Sequence, residues 1–69
     1  MIEIFKTNVK QRRQAKILLA VLLRHFPYIK VNFDLDDCDR ILRVEGNEFC
    51  KMQIAELITT NGYECQLLD

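Results

Sequence analysis

The chain has 69 residues, 49% of them hydrophobic, and 10 basic residues balance 10 acidic ones to a formal net charge of zero. That length holds one domain, spanning residues 1–69, near the lower end of what folds alone. A neutral balance gives the whole molecule no electrostatic pull on nucleic acid or on a membrane surface, so any charge-driven function must be local.

The charges are segregated along the chain. Lys10, Arg12, Arg13 and Lys16 crowd one stretch, and Asp34, Asp36, Asp37 and Asp39 crowd another. The 3 cysteines, Cys38, Cys50 and Cys65, are odd in number and widely spaced, with no CxxC. This argues against a disulfide framework and for a reducing compartment. No secretory leader is evident, and the apolar run Ile17–Leu23 is far too short to span a bilayer. A cytoplasmic protein is expected.

In chain order, Met1–Thr7 reads as a strand, with Ile2 and Ile4 alternating with Glu3 and Phe5. Asn8 reads as a helix N-cap, with Gln11 three residues on completing a capping box. The first helix is expected over about Val9–Phe26, because Ala15, Leu18, Leu19, Leu22, Leu23 and Phe26 fit the i, i+3, i+4, i+7 pattern. Pro27 stops it. Ile29, Val31, Phe33 and Leu35 then alternate with polar residues as a second strand.

Asp36–Asp39 is a polar turn, and Arg40–Glu45 returns as a third strand with Leu42 and Val44 inward. Gly46 and Asn47 break it, with Asn47 a candidate N-cap. A second helix is expected over about Glu48–Thr60, burying Cys50, Ile54, Leu57 and Ile58. Asn61-Gly62 marks its end, where glycine relieves a left-handed cap. Tyr63–Leu68 is the last strand. The order β-α-β-β-α-β predicts an α+β, ferredoxin-like sandwich, with two helices on one face of a four-stranded antiparallel sheet.

Nearly the whole chain resembles the heavy-metal-associated domain, the fold of copper chaperones and of N-terminal modules of metal-transporting ATPases. Phe5-Lys6-Thr7-Asn8-Val9-Lys10 stands where that family has its first strand and metal loop. Phe26-Pro27 stands at the end of its first helix, Val31–Leu35 resembles its second strand, and Asn61-Gly62-Tyr63 resembles the Gly-Tyr ending its second helix. The family holds soft metal with a CxxC pair. Here the matching positions are Gln11 and Gln14, with Arg12 and Arg13 between them. Thiolates select Cu(I) and Zn, and amides do not replace them. The resemblance therefore implies the fold and contradicts the family's usual activity. No cofactor or bound metal is expected.

The first candidate site is the basic helix start, Lys10, Arg12, Arg13 and Lys16. A helix N-terminus already carries partial positive charge, so cations there suit an added phosphate, carboxylate or acidic protein surface. The bland alternative is a solvated basic face. A candidate interface is formed by Ile17 and Val21, one turn apart on the outside of the first helix. The open sheet face is expected to show Glu3, Phe5, Lys30, Asn32, Ile41, Arg43, Glu64, Gln66 and Leu68. Of these, Phe5, Ile41 and Leu68 form a patch on which two sheets could stack. Phe5 is its one aromatic, so nucleic-acid stacking is not expected.

Cys38 among its aspartates is an alternative, atypical metal site. The turn lacks the calcium-loop spacing, and nearby negative charge disfavours a reactive thiolate. Cys50 and Cys65 read as packing residues. His25 lacks a partner carboxylate or nucleophile in the sequence pattern. With no nucleophile–base pair or phosphate loop, the chain is not expected to be an enzyme. The leading expectation is a small interaction module with a protein partner or a second copy of itself. A purely structural subunit is the remaining alternative.

Overall fold

The computed structural model describes residues 1–68. The elements are β1 (Ile2–Thr7), α1 (Arg12–His25), β2 (Lys30–Asp34), β3 (Ile41–Glu45), α2 (Lys51–Thr60) and β4 (Cys65–Leu68). The four strands form one antiparallel sheet in the order β2-β3-β1-β4. This is the ferredoxin-like α+β arrangement, with β1 and β3 at the centre.

One layer of side chains fuses helices and sheet. Phe5, Leu42 and Val44 from the central strands meet Ala15, Leu18 and Leu22 of α1 and Ile54 and Ile58 of α2. Alternation then settles the two faces of the sheet. Phe5 pairs with Leu42, and Glu3 pairs with Val44, so Phe5 belongs to the helix-facing side. It is fully buried, at 0% exposure. This corrects the expectation that Phe5 lies on the open face as an interface residue. Both phases of β1 carry apolar residues, so its pattern alone leaves the face open. The larger Phe5 removes more area from water than Ile4 and takes the core position. Ile2 and Ile4 turn to the open face.

Element starts come later in the chain than the sequence pattern suggests. Asn8 does not cap α1; its Oδ1 accepts the Glu64 N–H at 2.8 Å. Val9 instead drops fully buried into the core from the connection between β1 and α1, and Gln11 takes the N-cap position in an extended conformation with no side-chain cap bond. Similarly, Cys50 rather than Asn47 is the N-cap of α2. Cys50 is consequently exposed, and Phe49 packs against the core in its place. At the far end of α2, the Gly62 N–H bonds Thr59 O (3.0 Å) and the Tyr63 N–H bonds Ile58 O (3.3 Å). These two bonds make a Schellman cap, with Gly62 at φ 93° as expected of the left-handed position. That cap uses the Tyr63 N–H and Asn8 takes the Glu64 N–H, so β4 starts only at Cys65.

Candidate functional site

The start of α1 is positioned by a buried hydroxyl. Thr7 Oγ1 donates to Arg40 O at 2.6 Å and accepts the Val9 N–H at 3.2 Å. The Thr7 N–H also bonds Asp39 O at 3.1 Å. These bonds fix the end of β1, the β2–β3 connection and the loop into α1 as one unit. The connection is closed by Arg40, whose Nη1 donates to Leu35 O at 2.6 Å. Arg40 adopts a left-handed φ of 47° and so lies outside β3, contrary to the expected strand start.

From that unit α1 departs with Lys10, Arg12, Arg13 and Lys16 all exposed and with no acidic residue in its first turn. The first intrahelical bond runs from the Ala15 N–H to Gln11 O at 3.0 Å. The earlier N–H groups have no acceptor within the helix. The single ion pair among the described residues lies elsewhere, between Lys6 and Asp39 at 3.6 Å.

The basic residues do not form one patch. Neighbouring helix positions are turned by about 100°, whereas positions four apart share a flank. Arg12 and Lys16 therefore stand together, and with Ala15 and Leu19 they line a hollow beside edge strand β2. Asp34 and Asp36 line its other wall, so this hollow carries both signs. Arg13 shares the next flank with Ile17, which is 58% exposed. Val21 is only half-buried and continues toward the side of α1 that meets the rest of the molecule. The expected Ile17–Val21 stripe is thus a graded one, open at Ile17 and partly covered at Val21.

In the acidic turn, ligand atoms of Asp37, Cys38 and Asp39 come within 4.8 Å of one another. Two of these groups already have partners. Asp37 Oδ1 accepts the Asp39 N–H at 2.8 Å, and Asp39 Oδ1 pairs with Lys6. His25 Nδ1 lies 3.0 Å from Val21 O, one turn back along its own helix. Cys65 is partly buried beside the core, and burial pushes its thiol up from 9.0 to about 11. None of the described helices is long and apolar enough to cross a membrane.

Sequence reasoning missed the structural part of this site, the Thr7 hydroxyl. Its signal was present: a threonine at a strand end two residues before a backbone N–H it can cap is a recurrent local motif. Comparison with family models, with curated proteins and with solved structures gives no match to this chain.

Proposed function

We propose that the chain is a small, non-catalytic interaction module, akin to the heavy-metal-associated domain but without its soft-metal thiol pair. In this reading the start of α1 engages an acidic or anionic partner. The observation that carries it is a helix start with Lys10, Arg12, Arg13 and Lys16 exposed, no acidic first-turn residue and no side-chain cap. Cations at that end oppose the helix dipole by a few tenths of a kcal/mol each, up to about 1 kcal/mol. An anion would relieve this and would also receive the first backbone N–H groups.

The test is a titration of isotope-labelled protein with inorganic phosphate in one arm and an acidic peptide in the other. Amide shifts confined to Asn8–Gln14 are expected in at least one arm, weakening with added salt. They should vanish in an Arg12→Glu/Arg13→Glu variant that melts at an unchanged temperature. An unmoved segment in both arms would discard the reading.

A second reading rests on the closeness of Asp37, Cys38 and Asp39: an atypical metal site in the acidic turn. Native mass spectrometry with Cu(I), Zn and Ca separates the two. A one-to-one complex that disappears in Cys38→Ser would favour the metal site.

A further inference from the structure

β2 is an outer strand of the sheet, bonded to β3 alone. The hydrogen-bond phase of the sheet fixes what its free edge offers. The Gly46 N–H bonds Met1 O at 3.0 Å, and one further step of the β1–β3 register sets Gly46 opposite Met1. Directly bonded pairs alternate along an antiparallel ladder, so Val44 and Leu42 also turn their backbone groups toward β1. Glu45, Arg43 and Ile41 therefore turn theirs toward β2, where they meet Lys30, Asn32 and Asp34. The residues between, Val31 and Phe33, point their N–H and C=O groups off the edge. Among the described residues no other backbone group bonds them. The strand reads Lys30-Val31-Asn32-Phe33-Asp34, with no proline or glycine to block further pairing.

A two-fold interface forms only if the surface complements itself. A two-fold axis through Asn32, perpendicular to the sheet, lays a second β2 antiparallel against the first. Val31 then stands opposite the partner's Phe33, and the two residues exchange N–H···O=C bonds. The same pair recurs on the other side of the axis, so all four outward groups of each strand are satisfied. A register shifted by two residues would need backbone from outside β2. Cross-strand partners share a face, so Lys30 stands opposite the partner's Asp34 and Asp34 opposite the partner's Lys30. Each Lys30 then lies between Glu45 of its own chain and the partner's Asp34. Asn32 meets its own copy, and two amides can bond each other. The two Arg43 side chains are held three strand spacings apart, roughly 14 Å. On the helix face, Val31 and Phe33 with their copies extend the apolar floor that Phe33 shares with Leu19. Arg12 and Lys16 lie toward the Asp34 end of β2, so the axis carries the partner's Arg12 and the partner's Lys16 to the opposite end.

We propose that two copies of this chain join edge to edge through β2, antiparallel about Asn32, into one eight-stranded sheet. A single pair of five-residue strands covers less than the about 800 Å² per partner of a standard interface, so the dimer is concentration-dependent rather than obligate. The pairing uses none of the free N–H groups of α1, and it does not depend on the anion reading.

Analytical ultracentrifugation from about 10 μM to about 1 mM tests it. Mass rising from 8.2 kDa toward twice that value is expected. Lys30→Asp and Asp34→Lys each set two like pairs directly opposite and should weaken association by roughly tenfold. The double variant Lys30→Asp/Asp34→Lys restores both unlike pairs and should return to within about threefold of the original. The register has its own test, in a chain carrying Cys38→Ser and Cys50→Ser. There Asn32→Cys puts two thiols beside the axis and should give a disulfide-linked dimer on mild oxidation. Asp34→Cys, whose copies would lie roughly 13 Å apart, should not. All of these positions are exposed, so an unchanged circular dichroism melt will confirm that the variants remain folded. A monomer throughout the range, single charge variants that dimerise undiminished, a double variant no tighter than the singles, or cross-linking by Asp34→Cys in place of Asn32→Cys would each overturn the proposal.

Discussion

Thr7 shows how much one hydroxyl can organise. It is 6% exposed and holds the Val9 N–H and the Arg40 carbonyl together. Replacing it with valine keeps the shape and leaves both groups unpaired; the Val9 N–H is buried and the Arg40 carbonyl only partly so, and the cost is about 1–3 kcal/mol in all. Urea unfolding should register a loss in that range for Thr7→Val and a clearly smaller one for Thr7→Ser. Cys65 makes a separate prediction. Its folded thiol titrates near 11 against an ordinary 9.0, so the folded chain holds the proton more tightly than the unfolded chain. The resulting stability is complete below about pH 9 and is lost as pH rises toward 11. Cys65→Ala should flatten that part of the stability–pH curve. At pH 8 a thiol reagent should modify exposed Cys38 and Cys50 first and Cys65 much later.

Among the elements, both helices start without a side-chain cap, because the residue that the local pattern favours is engaged elsewhere or lies too early. Asn8 serves Glu64, 56 residues away in sequence, a partner that no local rule could name. Placing a competent cap at the true start should stabilise the fold. Gln11→Asp is expected to add about 0.5–1 kcal/mol, read as a higher midpoint in thermal unfolding. By putting a carboxylate among the basic residues, it should also reduce any amide shifts caused by phosphate. The helix ends were more legible than the starts. Gly62 could be read from sequence because its φ of 93° is a requirement on one residue, with no distant partner involved. Gly62→Ala meets no side chain within 4 Å, so only the backbone conformation is penalised, by about 1 kcal/mol.

For the molecule as a whole, a single small core leaves little reserve. Phe5, Leu18, Leu22, Leu42, Ile54 and Ile58 are its largest fully buried side chains. A core of this size supplies roughly 3–5 kcal/mol of net stability. Phe5→Ala removes about 3–5 kcal/mol and should leave the chain largely unfolded at 25 °C by circular dichroism. If Phe5 lay on the open face, the same change would be mild, so the measurement also tests the assignment of faces.

Sequence by itself determined the order of the elements, the class of fold, the stops at Pro27 and Gly62, and the basic first turn of α1. Each is written in local spacing or in one residue's backbone preference. Tertiary structure alone decided which phase of β1 faces inward, that Val9 reaches the core, and that Cys50 stays outside it. It also decided that the basic residues divide between two flanks, with Arg12 and Lys16 lining a hollow that Asp34 and Asp36 also border. Those outcomes depend on competition between distant groups for the same buried space and the same hydrogen bonds, and a single pass along the chain contains no term for that competition.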